Sequence, residues 1–321
     1  PNNSPYAYGG GYYLANGGTQ YSTDLVTWTG SASWSQVWAL MWDGAQFVRI
    51  SFAGDIQTSA TGASWSTVVN LSTFTSAPAL NARYSLAKHG SNYFLTYNPP
   101  PSGGLPPQLW KSADLTTWTQ LASSELASWD SAGKLVYDGS RVYVLAGVLD
   151  NVGEDAAMLR STDGTTFSSV TAPAISGQGL RSSHYADGQF WIFYNGSLAV
   201  SSNGSTWTKK VIGDFTLTMV VLIPDSYKLT DMVTNGTGAR LYTVEETTLI
   251  GGVTTYTSFR TAWAIHDSGT WSTVGSSTSI SNTAPSICAL NSTDVVFADR
   301  DIDQLLLYRH NGSTWSQVGS S

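Results

Sequence analysis

The sequence predicts an all-β protein, a seven-bladed β-propeller of four-stranded antiparallel blades. Three observations predict it. A short turn phrase ending in an aromatic residue recurs seven times along the 321 residues. Each good copy follows β-rich runs separated by a glycine turn. Nothing in the chain reads as a helix of any length.

The phrase is Ser, any residue, then Asp, Asn or Thr, then two or three small residues and an aromatic. It reads Ser22-Thr23-Asp24-Leu25-Val26-Thr27-Trp28, and again Ser59-Ala60-Thr61-Gly62-Ala63-Ser64-Trp65. It returns at Ser112 to Trp118, Ser161 to Phe167 and Ser201 to Trp207. Degenerate copies end at Trp271 and Trp315. The aromatics stand 37, 53, 49, 40, 64 and 44 residues apart. A four-stranded propeller blade takes about 40–50 residues.

The first strand of each unit is expected to end in a glycine turn: Asp43-Gly44, His89-Gly90, Asp138-Gly139, Asp187-Gly188, Asn235-Gly236. Asp-Gly and Asn-Gly favour two-residue type I′ hairpins, whose central residues both need positive φ. Second strands follow at 46–52, 92–97, 141–147, 189–194, 240–244 and 294–298. The third strand runs into the repeated turn, and the aromatic opens the fourth. Even the N-terminus fits, with 4–9 and 11–17 as its first two strands. The blades of this single 1–321 domain then fall near 1–30, 31–70, 71–122, 123–171, 172–212, 213–275 and 276–321. Ring closure is expected by side-chain packing between the last blade and the first, without strand exchange.

Composition narrows the function. Only 12% of residues are charged and 41% are apolar, with 13 Trp, 16 Tyr and 10 Phe to build a core. Disordered chains are rich in charge and poor in aromatics. The net charge of −7 excludes a generic polyanion binder, so no nucleic-acid partner is expected. The one cysteine, Cys288, excludes an internal disulfide framework and a cysteine zinc site. No apolar run approaches the roughly 18 residues of a membrane-spanning helix.

The Ser-x-Asp-x-Gly-x-Thr-Trp wording resembles the Asp box of bacterial-neuraminidase-type repeats. That resemblance covers nearly the whole chain. It implies a turn between third and fourth strands, an Asp that bonds backbone N–H groups, and an aromatic packed between neighbouring blades. The seven aromatics and their Asp or Asn partners are therefore frame, although they look like sugar-binding pairs. The last two blades are similar to propeller repeats of bacteriophage tail-fibre and bacterial surface proteins, through Thr270-Trp271-Ser272-Thr273-Val274-Gly275 and Thr314-Trp315-Ser316-Gln317-Val318-Gly319. That likeness implies a place in a larger fibre or surface chain, and the low charge with abundant Ser, Thr, Asn and Gly matches extracellular or virion-surface proteins.

Sialidases of the resembled family hold a carboxylate with three arginines and use a Tyr–Glu pair and an Asp. The motif around their first arginine is reduced here to Val48-Arg49-Ile50-Ser51, mid-strand and without its proline. The four glutamates, Glu125, Glu154, Glu245 and Glu246, stand in no nucleophile-activating context. Sialidase motifs are thus not found, and binding is expected ahead of catalysis. Weak catalytic candidates are His184 and Tyr185, on an inner strand with Arg181 just before them. A histidine there has the right pKa range for a base. A calcium site of oxygen ligands is considered at Asp299, Asp301 and Asp303, against the alternative of a solvated loop. No other metal or cofactor is expected.

A ligand would sit on the face carrying the length-variable loops, 70–83, 98–108, 148–157, 212–231 and 244–260, because binding residues concentrate on loops held by a rigid frame. Inner-strand starts aimed at that face are Trp38, Arg83, Tyr84, Lys134, Arg181 and Asp231. Arg83, Lys134 and Arg181 form a cationic arc suited to a carboxylated or sulfated sugar, with pairing to local carboxylates as the alternative. The leading expectation is a module that binds a glycan or cell-surface receptor. A secreted polysaccharide-degrading hydrolase or lyase comes second. A structural or assembly scaffold, as in the propeller assembly factor of photosystem II, comes third.

Overall fold

The computed structural model describes residues 7–75 except 16, 25 and 31–36. It describes 83–98, 106–121, 126, 132–146 and 158–172. Beyond these it describes 180–211 except 187 and 195–196, then 226–234, 240–264 except 251–252, 271–273, 286–289, 295–310 except 302–303, and 315–320. The chain divides into two compact units, Pro1–Ala172 and Pro173–Ser321.

Unit one holds four sheets of four strands. The first is β1 (Ala7–Gly9), β2 (Tyr12–Ala15), β3 (Gln20–Ser22) and β4 (Thr29–Gly30). The second is β5 (Val37–Trp42), β6 (Phe47–Ser51), β7 (Asp55–Ser59) and β8 (Ser66–Asn70). A single 3-10 turn, Leu71–Thr73, follows it. The third is β9 (Arg83–His89), β10 (Asn92–Asn98), β11 (Gln108–Ser112) and β12 (Thr119–Leu121). The fourth is β13 (Ala132–Tyr137), β14 (Val142–Ala146), β15 (Met158–Ser161) and β16 (Ser168–Val170).

Unit two holds three more. They are β17 (Leu180–Ala186), β18 (Gln189–Tyr194), β19 (Ser197–Ser201) and β20 (Thr208–Val211); then β21 (Ser226–Thr234), β22 (Arg240–Ile250), β23 (Val253–Ala264) and β24 (Trp271–Thr273); then β25 (Ser286–Ala289), β26 (Val295–Asp301), β27 (Gln304–His310) and β28 (Trp315–Ser320). Every sheet is an antiparallel meander of sequence neighbours, and no sheet mixes the two ends of the chain.

Within unit one the first strands β1, β5, β9 and β13 lie side by side in order, and within unit two β17, β21 and β25 do the same. Sheets therefore meet face to face, and a middle strand buries both of its faces. Tyr93, Leu95 and Tyr97 of β10 join a core with Val48, Ile50 and Ile56 of the second sheet. Phe94 between them joins Leu135, Val144, Leu159 and Phe167 of the fourth. Burial on both faces explains why 93–97 is aromatic or aliphatic at every position but Thr96, itself buried.

The repeated turn follows one plan. Asp24 Oδ1 accepts from the N–H groups of Val26 (2.8 Å) and Thr27 (2.7 Å). Asp114 does so with Thr116 and Thr117, and Asp163 with Thr165 and Thr166. The side-chain oxygen of Asn203 takes the same two bonds from Ser205 (2.9 Å) and Thr206 (2.8 Å). The leading serine hydroxyl accepts one more N–H, from Gly62, Leu115, Gly164 or Gly204. Those positions have positive φ. At Gly164 a Cβ would come within 2.9 Å of the Phe94 ring in the preceding sheet. Leu115 takes the same place with φ 66° and is 2% exposed, so its side chain fills the gap at the expense of backbone strain. Trp118 then stacks on Phe74 (5.5 Å), and its indole N–H donates to the Leu115 carbonyl (2.9 Å). The Trp65 N–H reaches the carbonyl of Gly18 in the first sheet (2.8 Å).

Three sequence expectations change. The turn between Ala186 and Gln189 has the expected two-residue length, but the Asp43 and Asp138 turns do not: β5 and β6 close at Trp42 and Phe47, and β13 and β14 at Tyr137 and Val142. Only the glycine has positive φ in each. The aspartate instead caps a four-residue loop, Asp43 accepting from Ala45 and Gln46 and Asp138 from Ser140 and Arg141. The type I′ pattern belongs to Gly10-Gly11, φ 57° and 83°. Second, residues 244–260 are mostly paired backbone, the outer half of the long β22–β23 hairpin, rather than a loop. Third, Asp299 and Asp301 lie on strand β26 rather than in a solvated loop. Asp303 and Asn235-Gly236 lie outside the described residues.

Two predictions follow from the turn. Its backbone N–H groups hold the Asp24 carboxyl down at about 2, and those around Asp114 and Asp163 act in the same direction. A carboxyl depressed in the folded state adds stability above its unfolded pKa, about 3.9, and loses it as pH falls. Replacing all three by Asn keeps the acceptor, as Asn203 shows. The variant should melt with a shallower pH dependence between about pH 4 and pH 2 than the parent, measured by calorimetry. Leu115→Gly should relieve about 1–3 kcal/mol of strain and lose about 2–5 kcal/mol of packing. Denaturant titration should therefore show net destabilisation; a gain would mean that the strain outweighs the packing.

Candidate functional site

Four of the inner strands share a backbone irregularity. An extra residue interrupts pairing with the second strand between Val37 and Ala39, between Ala132 and Leu135, between Leu180 and Ser182, and between Leu229 and Asp231. Such bulges redirect side chains and recur beside binding and active sites. The bulged stretches contain Trp38, Lys134, Arg181 and Thr230. In the third sheet pairing is regular, with Arg83 opposite Asn98 and Tyr84 opposite Tyr97.

In unit one these starts adjoin. The Ser85 hydroxyl of β9 accepts the Leu135 N–H of β13 (3.3 Å), which sets the backbone of Arg83 beside that of Lys134. Trp38 lies against Tyr84 with ring centroids 5.6 Å apart, and Tyr84 stacks on Tyr97 at 5.3 Å. On its other side Trp38 stacks on Phe52, 5.2 Å away and 18° from parallel. Its indole N–H donates to the Phe52 carbonyl (3.3 Å). The four rings form a graded stack. Trp38, Tyr84 and Tyr97 are buried, whereas Phe52 is 40% exposed. The Tyr84 hydroxyl is buried and has no hydrogen-bond partner among the described residues. Burial, and then the neighbouring Tyr97, push its ionisation up.

The other candidates separate. His184 and Tyr185 pair with Trp191 and Phe190, beside the hairpin end at Ala186 and Gln189. Arg181 is three residues away, about 10 Å along a strand. The strand therefore keeps His184 and Tyr185 apart from Arg181 rather than grouping them. Tyr185 packs on Phe190 at 4.8 Å. Asp231 is not a strand start: β21 begins at Ser226, and Asp231 pairs with Thr243 just after the bulge. The sequence hid this because the strands of the sixth sheet run past the lengths of the others.

Arg49 is fully engaged. It donates to Gln57 (2.8 Å) and to the carbonyls of Gly17 (2.9 Å) and Gly18 (3.3 Å), and lies over the Trp65 ring at 4.0 Å. Burial lowers its pKa to about 10. It ties the second sheet to the first. Asp43 ties the second sheet to the third. Burial raises its pKa, but the bonds from Tyr93, Gln46 and Ala45 and the Lys88 charge outweigh this, and the net shift is down. Lys88 Nζ lies 3.7 Å from its carboxylate.

Phe52 was not foreseen. The signal was present as Ser51-Phe52-Ala53-Gly54, a large aromatic in a glycine turn. Gly54 has φ 85° and its N–H donates to the Ser51 carbonyl (2.9 Å).

A family model describing the DUF6242 beta propeller domain matches residues 112–248. No curated protein matches the chain. Solved structures do. YCF48 bound to D1 peptide is 13% identical, with a TM-score of 0.61 over 88% of this chain and 81% of that one. An ancestral GH74 enzyme is 11% identical, with a TM-score of 0.63, and the match spans 100% of this chain and 46% of the enzyme. The extracellular domain of BT4673 from B. thetaiotaomicron is 12% identical, with a TM-score of 0.56 over 99% and 38% of the two chains. At such identities the likeness speaks to fold alone, and that fold is the β-propeller.

Tyr84→Phe tests the orphaned hydroxyl. Removing an unsatisfied buried polar group should leave stability unchanged or raise it by about 1 kcal/mol. A fall in melting temperature would reveal a partner that the hydroxyl holds.

Proposed function

We propose that this chain is a recognition module, extracellular or on a virion surface, which binds a glycan or cell-surface partner through the face at the inner-strand starts. The observation that carries the reading is the meeting of inner-strand starts in unit one. It sets Trp38 and Tyr84 in one aromatic stack, with the backbones of Arg83 and Lys134 alongside. Aromatic rings beside cationic residues suit a sugar that has an apolar face and an acidic group. Arg181, within the bulge of β17, and Asp231, just past the bulge of β21, are proposed as ligand contacts in unit two. The repeated turns support assignment to the Asp-box repeat propellers. The wording of the last two sheets supports a place in a fibre or surface chain.

Two other readings stay in competition. The GH74 neighbour favours a polysaccharide-degrading enzyme. The YCF48 neighbour, solved with a D1 peptide, brings in a scaffold that holds a peptide. A glycan array run alongside a reducing-end assay separates them. Binding without new reducing ends supports the recognition module, steady release supports the enzyme, and neither supports the scaffold. In the recognition reading, Arg83→Ala and Lys134→Ala should each weaken a carboxylated or sulfated glycan by roughly 1.5–3 kcal/mol, the scale of a charged hydrogen bond. Melting temperature should hardly change. Lost stability with unchanged binding would assign both cations to internal ion pairs.

A further inference from the structure

Phe52 is the exposed end of the ring stack, 40% exposed. It sits in the tight turn between β6 and β7, where the chain could have placed any polar residue. The turn is pinned from several sides. The Leu71 N–H donates to the Gly54 carbonyl (2.8 Å), and the Asn70 side chain donates to the Ala53 carbonyl (3.3 Å) and to Asp55 (2.7 Å). The inner face of the ring is fixed on Trp38, and its own carbonyl receives the Trp38 N–H. A ring this immobile loses little entropy when a ligand covers it.

Its surroundings narrow the ligand. Among the described residues the exposed large apolar side chains are Tyr8, Val26 and Phe52, which lie in different turns and strands. A large contiguous apolar patch marks a protein-binding surface. Among the described residues Phe52 belongs to no such patch. The adjoining turn offers Ser72 and Thr73, both exposed. The Ser72 hydroxyl donates to Asn70 Oδ1 (2.6 Å) and the Thr73 hydroxyl to the Asn70 carbonyl (2.7 Å). With their hydrogens committed, both oxygens are left to accept. A flat ring in one turn and hydroxyl acceptors in the turn bonded to it match a pyranose, which has one C–H face and O–H donors on its rim.

We infer that Phe52, backed by Trp38, is a stacking platform for a neutral hexopyranose unit of a polysaccharide. This rests on the glycan reading and adds to it an uncharged subsite that the cationic strand starts do not provide. The test is isothermal titration of the full chain with two probes, cellohexaose and a sulfated hexasaccharide, using the parent, Phe52→Leu and Phe52→Tyr. Leu keeps apolar bulk and removes the π face; Tyr keeps the face. With an aromatic contact of ordinary strength, Phe52→Leu should weaken cellohexaose about fivefold to tenfold. Phe52→Tyr should bind and melt as the parent does, and Phe52→Leu should stay folded with a small fall in melting temperature from the lost stack on Trp38. If cellohexaose binds the parent and Phe52→Leu equally, or only the sulfated probe binds and Phe52→Leu leaves it unchanged, the platform is overturned and the glycan reading stands. If neither probe binds the parent but an array identifies a protein ligand, both fall.

Discussion

One hydrogen-bond arrangement governs the rest of the molecule: a side-chain oxygen that accepts two backbone N–H groups in the turn before the outer strands of the first, third, fourth and fifth sheets. Without it those donors would be unpaired next to a packed core. The arrangement fixes where the chain reverses, so the next residue, an aromatic, falls against its neighbours. Serine supplies the third acceptor and forces positive φ at the position that presses on the preceding sheet. Local turn chemistry and packing between sheets are therefore one constraint. Asn203 shows that geometry rather than charge is what the turn requires.

Much of this was legible in the sequence. The phrase located every third-to-fourth strand turn, and β-rich runs located most second strands, because a propeller repeats its local chemistry. What the sequence obscured lies where repetition fails. The Asp43 and Asp138 loops share the Asp-Gly wording of a two-residue turn, but the carboxylate bonds two N–H groups ahead and lengthens the loop. The sixth sheet has strands of 11 and 12 residues, so its inner strand begins before the position that the other repeats imply. Asp231 therefore sits inside β21 rather than at its start.

The candidate site was legible by position and not by geometry. Inner-strand starts could be counted from the repeat, which identified Trp38 and Tyr84. Bulges have no sequence signature of their own here: the bulged stretches hold Trp, Gly-Lys, Arg and Thr, which share nothing chemically. Phe52 escaped notice because it occurs in one turn only and has no counterpart in the repeat.

The outer strands of the first, third and fourth sheets are two or three residues long. A strand that short offers few free backbone groups to another molecule, which guards against edge-to-edge aggregation. The sixth sheet departs from this. Its β23 runs from Val253 to Ala264, whereas β24 pairs only with Ala262–Ala264. The stretch 253–261 thus lies beyond β24, and within it only Arg260 carries a charge. Fragments cut from unit two would carry that edge into solution, so shortened versions of this chain should lose solubility before they lose secondary structure.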